Sequence, residues 1–283
     1  MTVLMRALNL SNDFITWTST SPDYDGTYAP ESIQSDSAVV VSDTGSVAVQ
    51  NIGKLGLEYD PVALWLFDGN LNDSSGNGFD LTGAPSYTTA AIDRQAGAIF
   101  GGTAWTRPSR DAALAITGAL TIECTLNTEL SAVGGSICSF AGVGETEILN
   151  SCYLLRIAKS KMISIFWESG AGIDQYLTSP VGILPEGIPT HIAVTRSASN
   201  PAVTNIYLNG VNVLSNNTKS ACTGGTSATV RLRIGTDENG TEVLGTGNIL
   251  TSLKIIAAEL TPAQVVAEYN KVLGGKGIVY PAI

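Results

Sequence analysis

From about residue 58 to residue 274 the chain keeps returning to one unit, a run of five to eight residues rich in apolar side chains and closed by Gly, Asn, Ser or Thr. Its clearest instances are VALWLFD (62–68), GAIFGG (97–102), LTIECTLN (120–127), CYLLRIA (152–158), KMISIFWE (161–168), HIAVTR (191–196), TNIYLNGVNVL (204–214) and VRLRIG (230–235). Strand-length runs bounded by turn residues predict many short β-strands. In LTIECTLN, Ile122, Cys124 and Leu126 alternate with Thr121, Glu123 and Thr125, so one face is apolar and the strand backs onto a core. In KMISIFWE, Met162, Ser164, Phe166 and Glu168 share one face, and Lys161, Ile163, Ile165 and Trp167 share the other. Apolar residues on both faces predict a strand covered, at least in part, on both sides. Asn209-Gly210, between IYL and VNVL, is the strongest hairpin signal in the chain.

One segment departs from the period of two. In LTPAQVVAEYNKVLGG (260–275) Thr261 suits an N-cap, Pro262 the first helical position, and Gln264 completes a capping box. Val265, Tyr269 and Val272 fall on one face, Lys271 opposes the dipole in the last turn, and Gly274 ends the helix. A single short helix after an all-β run is a packing accessory.

The 283 residues suffice for a core that needs no metal or disulfide to hold it. Only 14% are charged, and the formal net charge is −10. A net anionic chain without a basic run argues against nucleic acid as a partner. The absence of an 18-residue apolar stretch argues against membrane insertion. The opening MTVLMRALNLSND, its apolar stretch broken by Arg6, does not read as a secretory signal. Cys124, Cys138, Cys152 and Cys222 form no CxxC, and with one histidine there is no zinc ligand set. Cys124 reads as a buried strand thiol. The lack of a signal favours reduced cysteines, with a disulfide as the alternative.

Residues 1–57 differ from the rest of the chain. Short β-like pieces alternate with turn residues, and VVVSDTGSVAVQ reads as a hairpin of Ala38–Val41 and Val47–Val49. This is either an attachment segment or a set of edge strands for the main domain. The organisation expected is 1–57 as an N-terminal attachment segment, 58–274 as one domain, and 275–283 as a C-terminal tail.

Five segments of the main domain resemble, in order, those of the laminin-G-like, concanavalin A-like lectin family. They are ALWLFDGNLNDSSGNGFDLT (63–82), AIFGG (98–102), LTIECTLN (120–127), HIAVTR with IYLNGVNV (191–213), and LKIIAAELTPAQVVAEYN (253–270). The resemblance covers about residues 58–274. It implies an all-β, two-sheet antiparallel jelly-roll sandwich with one short C-terminal helix. The family includes carbohydrate-binding modules, adhesion domains, glycoside hydrolases and virion proteins, so fold alone does not give function. Two departures stand out. The Trp-His pair common before the HIAVTR strand is Thr190-His191 here, and the acidic pair common before the closing strand is missing from GNILTSLKIIA (247–257).

The loop DGNLNDSSGNGFD (68–80) gathers hard oxygen donors in Asp68, Asn70, Asp73, Asn77 and Asp80. It is either a polar turn whose Asx side chains bond their own backbone or a calcium site with Asp73, Asp80, Asp68 and Asn77 as ligands. Asp237, Glu238 and Asn239 offer a weaker version of the same choice. Glycosidases of this fold carry an ExDxxE pattern, which is absent; Glu145 and Glu147 in GETEI stand two residues apart but lack the third carboxylate, and they are either a solvated loop or a catalytic pair, the loop being the reading the segment favours. His191 opens a strand, no GxSxG elbow accompanies it, and its role is structural. Sandwich lectins stack loop aromatics on sugars, which selects Trp105 with Arg107, and Tyr176 with Asp174, as glycan contacts. The alternative for both aromatics is a half-buried loop anchor. Trp65 and Trp167 lie within strands and belong to the core.

The expected function is that of a non-enzymatic virion structural protein: a capsid decoration, fibre or baseplate-associated subunit of a tailed bacteriophage. It would join other virion proteins through residues 1–57, within a homo-oligomer, and present its lectin-like domain to host-surface glycans. The alternatives are a carbohydrate-binding adhesion module at a bacterial surface or outside the cell, and then a glycoside hydrolase.

Overall fold

A computed structural model describes residues 60–272, except 93–94, 102–103, 109, 129–134, 142–150, 159, 170–173, 225–229, 238–239 and 241–242, together with the backbone of five strands within residues 1–51. The chain divides into two compact units, Met1–Tyr59 and Asp60–Ile283.

In the first unit, β1 (Val3–Arg6), β4 (Ser37–Val41) and β5 (Val47–Asn51) form an antiparallel sheet in the order β1-β4-β5. β2 (Ile15–Trp17) and β3 (Gly26–Tyr28) pair separately. The hairpin read at VVVSDTGSVAVQ is present, with Val41 opposite Val47.

The second unit is a sandwich of two antiparallel sheets with one short helix. Its strands are β6 (Ala63–Trp65), β7 (Ser86–Ile92), β8 (Gln95–Ile99), β9 (Trp105–Thr106), β10 (Leu120–Asn127), β11 (Gly135–Ala141) and β12 (Tyr153–Ile157). They continue with β13 (Ile163–Glu168), β14 (Asp174–Thr178), β15 (Pro189–Arg196), β16 (Ala202–Leu208), β17 (Val211–Lys219), β18 (Arg231–Ile234) and β19 (Ile249–Ile256), and the helix α1 spans Pro262–Val272. One sheet runs β17-β16-β15-β10-β19-β8-β7, with β6 also on β19. β6 and β8 share that edge, since Trp65 lies opposite Leu253 and Ala98 opposite Leu250. The second sheet runs β14-β13-β12-β11-β18-β9.

Alternation along the strands builds the core between the sheets. Ile122, Cys124 and Leu126 of β10 face inward with Ile192 and Val194 of β15 and Leu253 and Ile255 of β19. Opposite them lie Phe140, Tyr153, Leu155, Ile163, Ile165, Trp167, Leu232 and Ile234. Each such side chain contributes about 1.5–3 kcal/mol of burial. Arg196 takes the next inward position on β15 after Ile192 and Val194. Its guanidinium lies over the Trp167 ring, 5.3 Å from the centroid, and donates to Cys152 O (2.8 Å) and Ile116 O (2.8 Å). A buried cation thus joins the two sheets near one end, bonded to the carbonyls of Cys152, Ile116 and Gly118.

α1 covers part of the outer face of the larger sheet, over Lys254 and His191, and leaves a groove lined by Val203, Asn205, Tyr207 and Asn212 beside its first turn. Thr261 caps the helix: Gln264 Oε1 accepts from Thr261 N at 2.7 Å, and Thr261 Oγ1 accepts from Gln264 N at 3.4 Å. Val265 is buried, as its apolar spacing predicts, but so is Glu268. Beneath the helix Lys254 bridges Glu268 and Glu123, the latter at 3.2 Å, and Lys271 holds Glu268 at 2.6 Å. The polar face of β10 is therefore buried as completely as its apolar face. No helix among the described residues is long and apolar enough to cross a membrane. The expected C-terminal tail, Gly274, Glu145, Glu147, Glu238 and Asn239 lie outside the described residues.

Candidate functional site

The outward face of the smaller sheet is set by the same alternation that fills the core. On β13, Ile163, Ile165 and Trp167 point inward, which turns Ser164, Phe166 and Glu168 outward. The antiparallel register places Tyr176 of β14 opposite Phe166. Their rings lie side by side, with centroids 5.9 Å apart and planes 26° from parallel. Arg156 of β12 holds its guanidinium 5.3 Å from the Phe166 centroid, and Lys219, at the end of β17, brings Nζ to 5.6 Å from the Tyr176 centroid. A bond from Ser220 N to Gln175 Oε1 (3.2 Å) ties the end of β17 to β14.

The rest of this face is closed over. Ser139 Oγ of β11 donates to Thr236 O at 3.1 Å, Val243 forms a bridge with Ser136, and Ser139 and Leu154 are buried. The segment after β18 folds back across that half. Tyr176, 57% exposed, is the one aromatic among the large exposed hydrophobic side chains of the described residues. What remains open is an edge of two adjoining rings flanked by two cations, in a chain of net charge −10. Such an edge offers a flat apolar surface beside hydrogen-bond donors, the combination that orients a polar ligand on a protein surface.

Tyr176 is thus brought to the surface, on a strand and not in the loop that the sequence predicts. Asp174 stands two residues before it, opposite Glu168 in the register. Trp105 requires a correction. It is 1% exposed, stacked on Phe100 with centroids 4.4 Å apart and tilted against Phe67 at 5.3 Å. It fills the core and has no ring face for a sugar. Arg107 is also committed internally, to Asp111 (2.8 Å) and Asp80 O (2.6 Å), with its guanidinium over Phe79.

The 68–80 loop is organised around Asp73. Its Oδ1 accepts from Leu64 N (3.0 Å) and Ser75 N (2.9 Å), and its Oδ2 from Ser75 Oγ (2.7 Å) and Phe79 N (3.0 Å). Burial works to raise this carboxyl, but the backbone bonds from Leu64, Phe79 and Ser75 outweigh it and hold it below the usual carboxylate value. Asp80 Oδ1 accepts from Asp73 N (2.8 Å), Asp68 Oδ1 from Asn70 Nδ2 (3.0 Å), and Asn77 points its Nδ2 at Val62 O (2.9 Å). Calcium needs six to eight oxygens turned towards one point. Here Asp73 commits both oxygens to Leu64, Ser75 and Phe79, Asp80 and Asp68 each place one oxygen on a donor of the loop itself, and Asn77 presents its amide nitrogen, so the four expected ligands are arranged as a self-bonded polar turn. Among the described residues no three His, Cys, Asp or Glu side chains converge on a metal position.

His191 is buried on β15, its Nε2 4.0 Å from Glu123 Oε1. Both ring nitrogens, Glu123 Oε1 and Thr125 Oγ1 have no hydrogen-bond partner. Burial, helped by Lys254, takes the imidazole down to about 3. Burial pushes the Glu123 carboxyl up to about 7 despite Lys254. These groups sit under α1, away from solvent.

The sequence reading missed Phe166 and Arg156. The signal was available, because Phe166 falls on the same face of KMISIFWE as Ser164 and Glu168, and an aromatic on a polar face needs a neighbour.

A family model described as Laminin_G_3, Concanavalin A-like lectin/glucanases superfamily, matches residues 100–266. A search of curated proteins by sequence finds no match. Among solved structures, Domain 4 of AbnA, a GH43 extracellular arabinanase from Geobacillus stearothermophilus, in complex with arabinotriose, is similar with a TM-score of 0.54 at 18% identity, covering 74% of this chain and 98% of that one. The binding domain of Paraclostridial Mosquitocidal Protein 1 gives a TM-score of 0.55 at 11% identity, covering 74% of this chain and 51% of that one. The receptor binding domain of botulinum neurotoxin mosaic serotype C/D gives 0.54 at 12%, covering 75% and 51%. The chain therefore spans about half the length of these toxin binding domains, and at such identities the likeness is one of fold.

Proposed function

The chain belongs to the concanavalin A-like lectin/glucanases superfamily, and from that premise we propose that it binds glycans without cleaving them, through the Tyr176 edge of the smaller sheet. The observation that carries this reading is the exposed Tyr176 ring beside Phe166, with Lys219 and Arg156 as flanking donors. A sugar ring stacks on the tyrosine while the cations hold hydroxyls or carboxylates. The non-catalytic half of the reading is supported by the fate of three carboxylates. Glu123 and Glu268 are buried in an ion network under α1, and Asp73 clamps backbone.

The carrier we propose is a tailed bacteriophage particle, with this chain as a decoration, fibre or baseplate-associated protein. The separate β-rich unit Met1–Tyr59 suits a docking role, and many copies on one particle would strengthen weak glycan contacts.

The test is a glycan array followed by calorimetry with wild type and Tyr176→Ala, alongside hydrolysis assays on a polysaccharide panel. Saturable binding lost in the variant, with no hydrolysis, supports the proposal. Undiminished binding by Tyr176→Ala moves the site elsewhere, and turnover of any polysaccharide overturns the non-catalytic reading. For the carrier, a chain lacking residues 1–57 should fold and bind glycan yet fail to join the particle.

A further inference from the structure

Two of the four cysteines meet where the sheets converge. Cys152 lies just before β12 of the smaller sheet, and Cys222 follows β17 of the larger one. The Cys222 Sγ donates to Cys152 O at 3.6 Å and to Ser151 O at 3.8 Å, and the two thiol groups are close enough to shift each other's ionisation. Neither backbone is loose. Cys152 N donates to Phe140 O (3.0 Å), Glu168 N to Ser151 O (3.0 Å), and Thr223 N to Glu168 O (2.9 Å). Arg196 crosses from the larger sheet to the same carbonyl, donating to Cys152 O at 2.8 Å. Both cysteines are unlinked, and the guanidinium beside them supplies the positive charge that favours a thiolate.

We infer that Cys152 and Cys222 are a redox-closable pair: hydrogen peroxide converts them into a disulfide that ties one sheet of the sandwich to the other. The reacting sulfur is Cys222, the more exposed of the two at 7% against 0%. Its hydrogen bond with the Cys152 thiol draws its pKa down, burial opposes this, and Arg196 reinforces it, whereas the same bond and burial drive Cys152 up. The Cys222 thiolate attacks a peroxide oxygen; an S–O bond forms, the O–O bond breaks, and hydroxide leaves. That hydroxide takes the Cys152 proton. The Cys152 sulfur then attacks the Cys222 sulfenic sulfur, forming S–S and expelling a second hydroxide. Two sulfurs are oxidised by one peroxide, and the products are the disulfide, one water and one hydroxide. Cys124 and Cys138 provide an internal control. They are 1% and 0% exposed, and burial pushes the Cys138 thiol up to about 12 and the Cys124 thiol upward as well; Cys152 is equally buried at 0%, so what sets the reactive pair apart is Cys222, at 7% exposed, beside Arg196.

The experiment uses the full chain. Reduced protein is treated with hydrogen peroxide, unfolded in an alkylating reagent, and followed by intact mass and peptide mapping. The expected product has lost two hydrogen atoms, carries alkyl groups only on Cys124 and Cys138, and yields a peptide linking Cys152 to Cys222. The link closes a long loop, so Tm should rise by on the order of 10 °C and fall back on reduction. Cys152→Ala and Cys222→Ala should each abolish link and shift, but the wild-type map decides the matter even if a variant misfolds. Four alkylated cysteines after treatment, a link through Cys124 or Cys138, or Cys222 oxidised to the sulfinic acid without a partner would each overturn the inference.

Discussion

Trp105 stacks on Phe100 with ring centroids 4.4 Å apart and planes 23° from parallel, which locks a two-residue strand into the heart of the sandwich. The packing leaves no slack. Gly235 adopts φ +84°, and a Cβ there would sit 2.3 Å from the Phe100 ring. Trp105→Ala should therefore cost about 3–5 kcal/mol, measured by urea denaturation, as for other large aromatic deletions in cores. Glycan affinity of the folded fraction should stay unchanged. A selective loss of binding at full stability would return Trp105 to the site.

Asp73 gives a second prediction. Asp73→Ala strands the amides of Leu64, Ser75 and Phe79, at a cost of about 1–3 kcal/mol. The folded pKa of Asp73 lies below its ordinary value of 3.8. Its contribution is thus fully present above that value and is lost as pH falls through the folded pKa. Because backbone donors saturate this carboxylate, a chelator should leave the wild-type Tm unchanged. A Tm that drops with chelator and recovers with calcium would put a cation back in the loop.

The sequence made the sandwich legible because strand burial has a period of two, and LTIECTLN or HIAVTR shows that period without tertiary help. The capped helix was equally plain, since Thr261, Pro262 and Gln264 act within one turn. What stayed hidden depends on partners distant in the chain. Trp105 looks like a loop residue among Gly, Thr and Pro until Phe67, Phe100 and Gly235 surround it. Tyr176 looks like a loop aromatic until Phe166 pairs with it across β13 and β14. Glu123 and Glu268 look like solvent-facing carboxylates, and only the docking of α1 on Lys254 buries them.

At the open edge, Tyr176→Ala removes an exposed ring that contributes little to the core. Its Tm should hardly move, while glycan affinity falls about tenfold or more, the loss expected of an aromatic anchor. Phe166→Ala should lower both, because Phe166 is half-buried and supports the tyrosine. Titration calorimetry paired with thermal melts separates the two effects. Equal Tm losses with unchanged affinity in both variants would make the edge structural.

The layer under α1 predicts an unusual pH profile. His191 is held neutral, its pKa falling from 6.5 to about 3, so the unfolded chain binds more protons in that window and stability is lost as pH drops from 6.5. Glu123 is shifted the other way, from 4.5 to about 7, so the folded chain binds more protons between those values and stability is gained as pH drops from 7. Each slope is about 1.4 kcal/mol per pH unit, and between 4.5 and 6.5 they oppose one another. Lys254 is raised and Glu268 lowered by their mutual pairing, so Glu268 protects only above its own depressed pKa. Wild-type stability from this layer should therefore be flat from pH 4.5 to 6.5 and fall steeply below 4.5, where His191 and Glu268 act together. Glu123→Gln removes one of the two opposing slopes. Its urea midpoint should climb steadily from pH 4.5 to 6.5 where the wild type is level; a variant as level as the wild type would mean that Glu123 and His191 are not the pair in balance.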